Sequence, residues 1–208
     1  MDLHPSEEQQ QLIDAYRALY AKESPPERVR SAEPLGFDPS LWDHLGELGS
    51  VAMAVDEAHG GWGASVLDLA LVAQEHGRAL GAAPLIETQV AARLLARTGA
   101  GGAGALAGAL EGERLVTVSL RPTRGDTAGL VPAGAIATDA LVRRGDELLL
   151  VPLGDDRVVP ENVGAMPLAD VQLGAGAVIA RGEAPQACGT IVSPSAPQPS
   201  IPKAAQSW

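Results

Sequence analysis

The groups best placed to do chemistry fall between Val55 and Arg78, in the stretch VDEAHGGWGASVLDLALVAQEHGR. Gly60-Gly61-Trp62-Gly63 precedes a long apolar segment, and Glu75-His76-Gly77-Arg78 closes it. A glycine-rich turn ahead of a helix can cradle a phosphate, but only with a preceding strand and G-x-G-x-x-G or G-x-x-x-x-G-K-[ST] spacing. Neither spacing occurs, and a helical segment ending at Gly49 precedes the glycines. They read as a tight corner that needs positive φ or a close backbone approach. Glu75, His76 and Arg78 offer an acid, a base and a cation, and at a helix end the simplest reading is a solvated cap.

The other candidates are thinner. His4, His44, His59 and His76 show no paired ligand spacing, and one cysteine, Cys188, gives no zinc framework. No metal site is expected. Cys188 lies in a Pro-rich stretch with nothing to lower its pKa, so it is not expected to be a nucleophile. No G-x-S-x-G elbow is present. The two RGD triplets, at Arg124 and Arg144, read as turns. No catalytic constellation can be assembled from these residues alone.

The elements that would position such groups are clearest in the first half. Ser6 caps a helix with Gln9 as its capping-box partner, and Leu12, Ile13, Tyr16, Leu19 and Tyr20 recur at helical spacing. SPPERVRSAEPLGF interrupts the pattern. Asp38-Pro39 restarts it, with a carboxylate cap and a proline where the missing N–H costs nothing. Ser65 and Asp68 open the next helix. Its leucines widen the apolar stripe so far that burial between neighbours is expected. A fourth helix runs from Pro84 toward Gly99. A Gly/Ala connector with a short helical piece follows, and then RLVTVSL, ALVRR, ELLLVPL and VQLGAGAVIA read as strands. RRGDE reads as a hairpin turn. The end, SPSAPQPSIPKAAQSW, holds four prolines and four serines and is expected to be disordered.

The expected fold class is α+β. An all-α helical bundle (1–112) precedes a small, shortened β-barrel-like domain (113–183) and a Pro/Ser-rich tail (184–208). No run of about 20 apolar residues suggests a membrane span. The polar, acidic start does not read as a secretory signal, and a lone cysteine suits the cytoplasm. A net charge of −11 with scattered arginines argues against nucleic-acid binding.

Taken in order, the landmarks resemble the acyl-CoA dehydrogenase family. HPSEEQQQLIDAYRALYA resembles its acidic opening helix, and GFDPSLWDHLGELG its gfD-x-x-LW-x-x-LxELG segment. DEAHGGWG and QEHGR are similar to PE-x-x-GG-x-G and EE-x-GR, and a proline-led helix follows at Pro84. The second half matches less well. VSLRPTRGD stands where the family has A-L-T-E-P-x-x-G-S-D. Pro122 and Gly125 are kept, while Leu120-Arg121 replaces the Thr-Glu pair. The tryptophan motif that packs on the flavin ring is missing, and so is the C-terminal bundle with its catalytic glutamate.

The resemblance implies an oxidoreductase of lipid metabolism that uses FAD to introduce an α,β double bond into an acyl-CoA. In such enzymes a carboxylate takes the α-proton as the β-hydride passes to the flavin. It implies backbone contacts to the cofactor at Pro122 and Gly125, and an acyl-pocket wall at Thr88 and Gln89. It implies no catalytic residue in this chain, since Glu57 and Glu75 belong to the N-terminal landmarks. The expected role is that of a truncated subunit, inactive as an isolated chain, paired with a full-length acyl-CoA dehydrogenase or self-associating through helical surfaces. The alternative is a non-catalytic scaffold, an acyl-binding relic or the product of an interrupted gene.

Overall fold

The computed structural model describes residues 4–33, 35–155, 157–174 and 176–182. Cys188 and the proposed tail, 184–208, lie outside the described residues. Local chemistry sets each helix start in the first half. Helix α1 (Glu7–Glu23) begins at Ser6, whose hydroxyl accepts from the Gln9 amide while the Gln9 side chain accepts from Ser6 N–H. Helix α2 (Pro26–Ser31) is a short element inside the stretch expected to interrupt the helical pattern. Its prolines sit at the entry, where no helical N–H is lost. Asp38 caps α3 (Pro39–Glu47) through the Ser40 and Leu41 amides. Ser65 and Asp68 form a reciprocal box that opens α4 (Val66–Arg78). Helices α5 (Leu85–Ala96) and α6 (Ala103–Leu110) complete the set.

GGWG turns a corner. Gly60 and Gly63 take φ of +87° and +65°. The amides of Gly61, Trp62, Gly63 and Ala64 donate to the carbonyls of Asp56, Ala52, Val55 and Met53 at 2.8–3.0 Å. A side chain at Gly61 would collide with the Val55 carbonyl. Four amides are spent on the preceding turn, so this loop is not built to hold a phosphate.

Helix α4 differs from its expected burial. Val72, Glu75 and His76 are buried, whereas Val66 and Leu67 are 67% and 56% exposed. It packs along one face on α1, with Val72 reaching a core that also holds Leu41, Leu45, Met53 and Leu85, and polar pairs join Gln9 to Asp68, Arg17 to Glu75 and Tyr20 to His76. Partners rise in order on both helices, so α1 and α4 run parallel.

The second half holds β1 (Val116–Val118), β2 (Thr127–Val131), β3 (Asp139–Arg144), β4 (Glu147–Pro152), β5 (Ala169–Gln172) and β6 (Ala177–Arg181). Among the described residues these form a four-stranded sheet, ordered β1-β3-β4-β6, and a two-stranded ribbon, β2-β5. This is a mixed sheet, with β1 parallel to β3 and the other pairs antiparallel. Arg144 pairs with Glu147 across the RRGDE hairpin, where Gly145 supplies φ +62°. β2 was not foreseen, and VQLGAGAVIA divides into β5 and β6.

Strands β3 and β4 are apolar on both sides because both are covered. Leu141 and Leu148 pack with Ala92, Leu95, Leu106 and Ala109 of α5 and α6. Ala140, Val142, Leu149 and Val151 pack with Ala128, Val131, Ala169 and Val171 of the ribbon. Period-two alternation is therefore hidden, as in any strand buried on both faces. Arg114 grips the buried Asp139 with two hydrogen bonds, at 2.9 and 2.6 Å, and so fixes the exit from α6 against the start of β3. Among the described residues no helix is long and apolar enough to cross a membrane, and no group of three or more His, Cys, Asp or Glu could hold a metal ion.

Candidate functional site

Glu75-His76-Gly77-Arg78 is not a solvated cap. Glu75 is buried and takes both hydrogen bonds of the Arg17 guanidinium, at 3.2 and 3.0 Å, with Arg78 at 3.6 Å. His76 is buried beside Tyr20, whose hydroxyl lies 2.8 Å from Nδ1. Burial pushes the imidazole down to about 4, against a backbone hydrogen bond at Ala83 that pulls the other way. Gly81 lets the ring approach, since a Cβ there would stand 2.6 Å from it. A neutral histidine and a paired carboxylate make this motif a helix-docking device, with no free acid or base.

A cavity of about 410 Å3 opens where α5 meets the sheet domain. Its helical side carries Val29, Leu80, Ile86 and Glu87, and its other side Ala133 and the 164–167 loop. Three wall residues other than glycine hold left-handed backbone: Leu80 (φ +50°), Ala133 (φ +55°) and Ala165 (φ +47°). Each such conformation costs about 1 kcal/mol or more, and clusters of them occur where a site shapes the backbone. Asn162 braces the loop, accepting from Met166 N–H and donating to Met166 C=O, both at 2.9 Å. Gly36 is required on this side as well, because a side chain there would meet the Ala165 carbonyl.

Glu87 stands on the first turn of α5 and lines this cavity. It is half-buried, and burial raises its carboxyl above the usual range despite a hydrogen bond with its own backbone. The expected wall residues, Thr88 and Gln89, lie one step further along the helix and are buried. Thr88 Oγ1 donates to Pro84 C=O at 2.9 Å, and Gln89 Nε2 to Ser50 C=O at 2.7 Å. Their donors are spent inside the helical domain, and Ile86 and Glu87 are the α5 side chains that reach the cavity.

Pro122 and Gly125 lie on an exposed segment after β1. Gly125 takes φ +59° in the turn that pairs Arg124 with Thr127. Thr117 donates its hydroxyl to Pro132 C=O, and Ser119 donates to Arg121 C=O at 3.2 Å, so neither hydroxyl proton is free. The amides of Leu120, Arg121 and Thr123 find no acceptor among the described residues, and Leu120 is 54% exposed. Free amides beside an apolar side chain fit one edge of a flavin. Hydroxyl donors for the rest of the ring are lacking in this segment.

The acyl-CoA dehydrogenase N-terminal domain matches residues 6–101. The chain is 37% identical over 135 residues to the acyl-CoA dehydrogenase IpdE2 of Mycobacterium tuberculosis, spanning 62% of this chain and 42% of that protein. The chain thus spans less than half the length of that curated relative. The structure superposes on the ChsE4-ChsE5 complex of M. tuberculosis with a TM-score of 0.78 and 25% identity, covering 92% of this chain and 62% of that one. A glutaryl-CoA dehydrogenase from Mycobacterium smegmatis, solved with FADH2, shares the fold at a TM-score of 0.66 and 14% identity, over 88% of this chain and 59% of that one. Landmarks, fold and relatives agree: residues 6–101 match the acyl-CoA dehydrogenase N-terminal domain, and a small mixed sheet domain follows in a fold shared with solved acyl-CoA dehydrogenases.

Proposed function

We propose that this chain is a subunit of an FAD-dependent acyl-CoA dehydrogenase and works with a complete partner subunit in α,β-dehydrogenation of an acyl-CoA, in the cytoplasm. The partner supplies the catalytic base and most of the flavin site. This chain contributes Pro122, Gly125 and the free amides of Leu120, Arg121 and Thr123 to one flavin edge, and the cavity beside Glu87 to the acyl group. FAD, when bound, accepts the hydride. The observation that carries this reading is the apolar surface left open on both domains. Val66, Leu67 and Leu80 are exposed on the helical side, and Leu120, Val158, Val159 and Val178 on the sheet side. A contiguous exposed apolar patch marks contact with other protein, and Val66–Leu67 and Val158–Val159 are adjacent exposed pairs. Likeness to a chain of the two-component ChsE4-ChsE5 complex supports it further.

Co-expression with a full-length dehydrogenase encoded beside this gene tests the reading. A stable complex with a flavin band is the expected result, and elution as two separate proteins contradicts it. A second reading, a non-catalytic scaffold or acyl-binding relic, is favoured by one feature: the hydroxyls of Thr117 and Ser119 are committed to backbone. A complex without flavin supports that alternative.

A further inference from the structure

Glu87 stands out from the other polar groups around the junction cavity. His76 is occupied by Tyr20 and neutral, and Glu33 is solvent-exposed. The Glu87 carboxyl is half-buried, and no side chain pairs with it among the described residues. Around it stand the apolar groups Val29, Leu80, Ile86 and Met166. A plain alkyl chain entering this space would strip water from the carboxyl and return no hydrogen bond. That loss is more serious than the absence of one favourable contact. A hydroxyl would satisfy the group in either protonation state, because a carboxylate accepts from it and a carboxylic acid also donates to it.

We propose that Glu87 is a specificity-determining residue that selects acyl groups bearing a hydroxyl over unsubstituted alkyl chains. This rests on the acyl-CoA reading above and names the substrate class for the same cavity. The backbone of the site is already strained and braced around Ala133, Ala165 and Asn162, so the wall is pre-set and little reorganisation is needed on binding.

Titration calorimetry with octanoyl-CoA and ω-hydroxyoctanoyl-CoA tests it, using the full chain together with its dehydrogenase partner. The hydroxylated ligand should bind roughly tenfold more tightly. Glu87→Leu should abolish that preference, and Glu87→Gln, which still hydrogen-bonds, should keep part of it. Equal affinities in the wild type, or a preference that survives Glu87→Leu, overturn the assignment while leaving the acyl-CoA reading intact. Failure to bind either ligand overturns the acyl-CoA reading and this assignment together.

Discussion

Arg17 of α1 holds Glu75 of α4 by two hydrogen bonds, at 3.2 and 3.0 Å, although 58 residues separate them. Glu75 is 3% exposed, so its carboxyl oxygens rely on this partner for hydrogen bonds that water cannot supply. Arg17→Ala leaves it with Arg78 alone, at 3.6 Å. A buried charge stripped of its partner is strongly destabilising, whereas loss of both partners is tolerated better. Thermal unfolding should therefore show a fall of several degrees for Arg17→Ala, and a smaller fall for Arg17→Ala combined with Glu75→Leu. A double variant no better than the single one would contradict the pairing.

His76 should make stability depend on pH. The unfolded imidazole takes its proton near 6.5 and the folded one only near 4. Between these values the unfolded chain binds more protons, so stability is lost as pH falls from 6.5 toward 4. The full effect is about 3 kcal/mol. Urea unfolding across this range should show a shallower acid decline in His76→Leu than in the wild type.

Glu87 should act with the opposite sign. Its folded carboxyl is raised above 4.5, so the folded chain holds its proton more tightly than the unfolded chain. Its contribution is present below that value and lost as pH rises through the folded one. Glu87→Gln should gain on the wild type in urea unfolding as pH rises from 4 to 7. A constant difference would mean that the carboxyl is not shielded from water.

Gly61→Ala should cost about 2–4 kcal/mol, because the new methyl would meet the carbonyls of Val55 and Ala52. Gly77→Ala, where nothing lies within 4 Å, should be neutral or slightly stabilising. Chemical denaturation of the two variants distinguishes a packed corner from a merely flexible one.

Leu80→Gly should stabilise by about 1 kcal/mol. It relieves a left-handed leucine at φ +50° whose side chain is 70% exposed. A loss of stability would show that the exposed leucine packs on something within the chain.

Helix starts were legible because capping is local: Ser6 with Gln9, Asp38 with Pro39 and Ser65 with Asp68 each lie within three residues. The reach of Arg17 to Glu75 carries no such mark, since each residue alone reads as a surface charge. The exposed flank of α4 was misread for a related reason. Composition shows how wide an apolar stripe is, while only the surrounding fold shows which part is covered. β2 was hidden because TAGLV has neither strict alternation nor a run of β-branched residues, and its partner β5 is about 40 residues away. Thr88 and Gln89, expected as an acyl wall, are buried in the helical domain, while Ile86 and Glu87 of the same helix line the junction cavity. Each helical step turns by about 100°, so one or two residues along the helix exchange a cavity face for a core face. Glu87 is visible in the sequence as an acidic residue on the first turn after Pro84, but only the fold sets it in a cavity that the 164–167 loop also lines.

The central claim is that this chain turns over acyl-CoA only as part of a pair. The direct measurement is dye-linked dehydrogenation of an acyl-CoA by the chain alone, the co-expressed full-length dehydrogenase alone and the co-purified complex, with flavin content read from the visible spectrum. The account predicts activity and bound flavin in the complex and neither in the isolated chain. Turnover by the isolated chain, or a partner whose rate is unchanged by adding this chain, would contradict it.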